Sequence, residues 1–169
     1  MLAQIRSIAD IYRFNTMTLR AVSRDLSDEQ TGRRWRQGEG SSIAFLLGHL
    51  LASRYSVLQR LGAADENPHA ELFGNFASAR DLADYPPFAE LVAEWDTVAE
   101  RLEVALAQLD DATLEAPASG YPVADQTTRG ALMFMAWHES YHIGQIGLMR
   151  TEMSLPSVRA VLSAARPST

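Results

Sequence analysis

The sequence predicts an all-α protein, a four-helix bundle in outline, with a long crossover connection and a short C-terminal helix. Three observations carry the helical reading. Four long segments repeat their apolar residues at three- and four-residue spacing. Breakers and caps (Gly, Pro, Ser and Thr) stand between them. No segment shows strand alternation or a hairpin turn signal. With 169 residues and 47% hydrophobic content, the chain suits one domain over residues 1–169 with a sizeable core.

The first helix is expected over roughly residues 2–23, with Ile5, Ile8, Tyr12, Leu19 and Val22 on one stripe and the pair Ile11 and Phe14 beside them. Ser27-Asp28-Glu29-Gln30 reads as a capping box for a short turn. Gly38 and Gly40 then break the chain. Ser41 or Ser42 caps a second long helix, running to about Leu61, whose stripe is Ile43, Leu46, Leu47, Leu50, Val57, Leu58 and Leu61. Gly62 is placed to end it. Residues 62–85, with Pro68, form a long connection, and connections of that length often cross over a fold or serve function.

Pro86-Pro87 opens the third long helix, because proline is favoured in a first turn. Phe88, Leu91, Trp95, Val98, Leu102, Leu106 and Leu109 mark its buried face. After a loop with Pro117, Gly120 and Pro122, Thr127 or Thr128 caps a fourth helix to about Arg150. A last short helix is expected from Pro156 to Ala165. Four long amphipathic helices of similar length read as a bundle.

Composition excludes several chemistries. The chain has no cysteine, so disulfides, thiolate ligands and a cysteine nucleophile are out. It has no lysine either, and all 15 basic residues are arginine, so Schiff-base catalysis is out. A net charge of −6 gives no basic field for nucleic acid, and the cluster Arg33-Arg34-Trp35-Arg36 is too small to overturn that. No apolar run reaches membrane-spanning length. Met1-Leu2-Ala3-Gln4-Ile5-Arg6 lacks the apolar core of a signal peptide, so a cytoplasmic location is expected.

The fourth helix holds the most informative residues, His138-Glu139-Ser140-Tyr141-His142. Histidines at i and i+4 project from one face of a helix and can share a divalent metal. With His138 at zero and about 100° per residue, His142 falls near +40°, Gln145 near −20°, Met149 and Ala131 near +20° and Met135 near +60°. The pair therefore lies in a mostly apolar stripe expected to face the bundle interior. With four histidines in the chain, such a pair arises by chance about 7% of the time, so spacing alone is suggestive.

His49, on the second long helix, lies at the edge of its stripe and would complete a three-histidine site if it folds onto the pair. His69, beside Pro68, reads as an exposed loop histidine that could cap such a site. On the opposite face of the fourth helix lie Ala136, Ser140, Ile143, Gly144 and Gly147. These small residues suggest close packing on the C-terminal helix or on a second subunit.

The run also matches the H-E-x-x-H signature of metallopeptidases, with Glu139 as general base. The continuation does not. Gln145 stands where the elongated form needs Gly, and Leu148 where it needs a third histidine. Glu139 falls roughly 60° from His142 on the helix and could flank the site or be a salt-bridged acid. Gln145, one turn beyond the pair, could orient a histidine or a ligand from behind.

Two stretches resemble the DinB/YfiT-like family. One runs from Leu26-Ser27-Asp28-Glu29-Gln30 through Trp35-Arg36, the glycines and Ser42-Ile43 to Leu47-Gly48-His49-Leu50. The other runs from His138 through His142-Ile143-Gly144-Gln145-Ile146. Helix order and chain length agree. The resemblance implies an up-up-down-down-like bundle, commonly a homodimer, with a divalent metal on His49, His138 and His142. It also implies thiol-dependent transferases and isomerases that use bacillithiol, mycothiol or similar low-molecular-weight thiols.

The expectation is therefore a metal-dependent S-transferase acting on a small molecule, in which a coordinated thiol loses its proton without any protein cysteine. A metal-dependent hydrolase and a non-enzymatic, stress-associated metal-binding protein are the alternatives. Three histidines suit zinc or nickel, with iron or copper also compatible.

Overall fold

The computed structural model describes residues 1–63, 66–74 and 77–164, apart from the side chain of Gln37. Among the described residues there is no strand. Four long helices form the bundle: α1 (Arg6–Ser23), α3 (Ile43–Arg60), α5 (Phe88–Gln108) and α7 (Thr128–Glu152). Short helices fill the connections: α2 (Asp28–Gly32), α4 (Ala70–Phe73), α6 (Asp111–Glu115) and α8 (Val158–Ala164). The bundle is therefore the one expected, with α8 as its short C-terminal helix. The expected end of that helix at Ala165 lies outside the described residues.

In cross-section the helices form a ring. α1 packs on α5 and α7, and α3 packs on α5 and α7, so α1 stands opposite α3 and α5 opposite α7. Trp95, Leu91, Leu50, Leu58, Leu102 and Leu106 fill the centre, each at most 1% exposed. Burying such a side chain contributes about 1.5–3 kcal/mol.

The local signals act largely as the sequence implies. Ser27 and Gln30 make both arms of the capping box on α2, and Ser42 accepts the Phe45 N–H at the start of α3. Gly62 ends α3 at φ +90°, with Gly62 N–H bonded to Gln59 and Ala63 N–H to Leu58. That pairing is the Schellman arrangement, which needs a residue free to turn left-handed. At α7 the N-cap falls on Thr127, one of the two threonines expected there. Its side chain makes no cap hydrogen bond to the helix; its hydroxyl and N–H both donate to Asp125 instead.

Two details differ from expectation. Ile11 and Phe14 are 40% and 55% exposed, because the core side of α1 is set by Ile8, Tyr12, Asn15, Leu19 and Val22. α6 was not foreseen. It is five residues long, capped by Asp110 through the Thr113 N–H, and too short to show a period. The back of α7 divides between partners. Asn15 of α1 donates to the Ala136 carbonyl, and α8 covers Gly147, where a Cβ would lie 2.6 Å from Val158.

Candidate metal centre

α3 supplies His49 and α7 supplies His138 and His142. The packing of those two helices closes the triad. His49 Nε2 lies 3.1 Å from His138 Nε2, and His142 Nε2 lies 3.0 Å from the same atom. The ligand atoms of all three lie within 4.8 Å of one another. Three nitrogens bound tetrahedrally to one zinc at about 2.0–2.1 Å stand about 3.3 Å apart. The residues present thus fit a single divalent ion with little adjustment.

All three rings are half-buried. Burial pushes His138 down to about 4, with His142 and His49 adding to the effect. Burial, then His142, lowers His49, while a backbone hydrogen bond to Phe73 opposes the shift. Burial also lowers His142, against a hydrogen bond to Gln145. The imidazoles are therefore neutral near pH 7, which is the form that binds a metal.

The outer ring nitrogens differ in support. His142 Nδ1 is 2.6 Å from Gln145 Oε1, and Gln145 Nε2 donates to the Tyr141 hydroxyl at 3.3 Å. With Nδ1–H donating to Gln145, the His142 Nε2 lone pair is left for a metal. Phe73 supports His49 and packs over Gly48, where a Cβ would fall 2.4 Å from the Phe73 ring. Nδ1 of His138 is buried with no hydrogen-bond partner among the described residues. That ring engages in hydrogen bonding only through the shared centre.

Glu139 faces elsewhere. Its carboxylate takes two bonds from Arg54, at 2.7 and 3.0 Å, and one from Asn15 at 3.4 Å. The pair is sealed, with side chains 0% and 1% exposed, and the guanidinium lies 3.5 Å over the Trp95 ring. Burial pushes the Glu139 carboxyl up, and Arg54 pulls it back. A carboxylate held this way does not meet the peptidase requirement for a base open to substrate. His69 is also occupied elsewhere, with Nε2 3.0 Å from Glu94 of α5, and it is not one of the converging ligands.

Arg54 went unnoticed in the sequence although a signal was there. It occupies a core position of α3, four residues from both Leu50 and Leu58. An arginine in an apolar stripe calls for a buried acid. Phe73 carried no such signal, because it reaches the site from the long connection.

No curated protein matches the chain. Among solved structures, YfiT from Bacillus subtilis is similar, at 17% identity and a TM-score of 0.62, covering 89% of this chain and 87% of that one. That protein is described as a probable metal-dependent hydrolase with an unusual four-helix bundle topology. The family model of the DinB superfamily matches residues 11–146, a span that takes in all three histidines. The chain belongs to the DinB superfamily.

Proposed function

We propose that His49, His138 and His142 hold one divalent metal and that the protein is a metal-dependent enzyme acting on a small molecule. The observation that carries this reading is the convergence of three neutral imidazole nitrogens on one half-buried point. A divalent ion there would supply Lewis-acid activation of whatever fills its open position. The chain's own residues hold and orient. Gln145 fixes the tautomer of His142, the Phe73 backbone steadies His49, and the α3–α7 contact sets the spacing.

Within that reading we favour transfer to a low-molecular-weight thiol. Three neutral ligands leave the full charge of the ion available to the ligand, and the chain offers no thiol of its own. Hydrolysis is the second reading, favoured by the likeness to YfiT. Zinc or nickel suits the donor set best.

Metal analysis of the purified protein, grown in metal-replete medium, tests the site. Wild type should carry close to one ion per chain and His49→Ala less than a tenth of that. Equal near-zero content in both would sink the site. Turnover that requires an added thiol separates transferase from hydrolase, and no turnover in the loaded protein would favour a binding role.

We propose further that the protein forms a homodimer. Trp137 lies 56% exposed on α7, and a Cβ at neighbouring Gly144 would meet nothing within 4 Å, which leaves room for a covering subunit. Light scattering at micromolar concentration tests it, and a monomer would remove it. No helix among the described residues is long and apolar enough to cross a membrane, and the cytoplasmic location stands as a proposal on the sequence alone.

A further inference from the structure

We propose that the recess between the loop 33–41 and α7 binds the body of the substrate and selects a small amphipathic organic anion. The proposal rests on the metal-dependent reading above and names its substrate class. A cavity of about 400 Å³ is walled by Trp35, Leu46, Tyr141, Gln145, Leu148 and Met149. Gln145 belongs to both places, since it lines the cavity and bonds His142. A molecule in the recess therefore lies one side chain away from the triad.

The wall turns from apolar to cationic with distance from the histidines. A second cavity of about 580 Å³ shares Trp35, Arg36 and Met149 with the first and adds Arg33 and Arg34. Glu152 borders this outer part and forms no ion pair among the described residues. Arg33, Arg34 and Arg36 stand within four positions of one another, and none has a carboxylate partner among the described residues. In a chain of net charge −6, an unneutralised cluster is the local feature that would attract an anion.

The loop is built to present these groups. Gly38 and Gly40 N–H both donate to the Trp35 carbonyl, and Trp35 N–H donates to Ser41. Arg34 Nε closes the loop onto the Gly40 carbonyl at 2.9 Å. A Cβ at Gly40 would sit 2.9 Å from the Trp35 Cβ and 3.1 Å from its carbonyl oxygen, so glycine lets the loop close back on Trp35. Arg36 holds a left-handed backbone at φ +50°, which a non-glycine residue adopts only when its surroundings impose it. An apolar body against Trp35, Leu46 and Met149, with an anionic end at the arginines, matches this order of groups and leaves the other end toward the metal site.

Calorimetric titration of the metal-free protein with octanoate and with octan-1-ol tests the proposal. Octanoate should bind at least tenfold more tightly than the alcohol. Arg33→Ala/Arg36→Ala should erase that difference while keeping the wild-type helical circular dichroism, and Trp35→Ala should weaken both probes. Equal binding of the two probes, no binding of either, or a preference that survives the double arginine variant would overturn it. Metal content is read separately. Its absence from wild type would remove the metal reading and leave the anion preference measurable.

Discussion

His138 and Glu139 are neighbours in sequence and belong to two different regions of one helix. His138 turns to a cluster of half-buried imidazoles that solvent can reach. Glu139 turns to Arg54 in a chamber closed by Trp95, Tyr12 and Asn15. Both regions join α7 to α3 through polar groups in a mostly apolar bundle. In one the carboxylate is already paired: Glu139 receives two bonds from Arg54 and one from Asn15, while Arg54 Nη1 has no hydrogen-bond partner among the described residues. The other has three neutral nitrogens about one hydrogen-bond length apart, and one ring whose outer nitrogen has no partner. Interior sealing with paired charges is how a helix pair is held in place. Partial exposure with convergent lone pairs is how a site is left ready for an ion.

The largest expected effect comes from the sealed region. Glu139→Ala or Arg54→Ala leaves a buried charge without its partner and should cost about 3–5 kcal/mol in urea unfolding. Replacing both, as Arg54→Met/Glu139→Leu, should recover most of that loss, because the desolvation penalty goes with the charges. A double variant as unstable as the singles would contradict the distinction drawn between the two regions.

On the histidine side a single change should touch metal binding far more than folding. Gln145→Leu removes the acceptor of His142 Nδ1 and should weaken metal affinity about 10–100-fold, measured by competition with a chelator. Its metal-free melting temperature should stay near the wild-type value. A large drop in stability with unchanged affinity would assign Gln145 to packing.

The smallest effect is a pH slope. His138 titrates at the ordinary 6.5 when unfolded and at about 4 when folded. Between those values the unfolded chain holds the proton and the folded chain does not. The stability of the metal-free protein therefore falls as pH drops from about 6.5 toward 4, and levels off below. Lowered values at His49 and His142 act in the same direction. Partial exposure keeps the slope shallow. Melting curves of wild type and His138→Phe over that range should diverge, with the variant flatter. Parallel curves would mean that His138 is not the titrating group.

The two regions were unequally legible in the sequence. The i, i+4 histidines were visible because helical spacing is local, and His49 stood out by its residue type and the resemblance that carried it. Gln145, three residues on, is near His142 for the same local reason. The depth of the pair was not legible. Ala131 and Met149 on the stripe are buried as expected, but the histidines between them are only half-buried, to one side of the line Leu132, Ala136, Glu139, Ile143 and Ile146. A helix apolar nearly all round gives no single direction to read. Ile11 and Phe14 show the same limit on α1, where apolar residues beside the stripe stay exposed.

By itself the sequence determined what depends on near neighbours along the chain. That covers four long helices, the Ser27, Ser42 and Gly62 boundaries, the absence of thiol and amine chemistry, and a histidine pair one turn apart. Tertiary structure decided everything that requires two distant segments to meet. It brought His49 onto His138, matched Arg54 with Glu139, laid Phe73 over Gly48, and set the loop at Trp35 against Gln145. Helix spacing is written by hydrogen bonds four residues apart, whereas these contacts join residues tens of positions apart. Their partners are chosen only when the bundle closes and each buried polar group must find another.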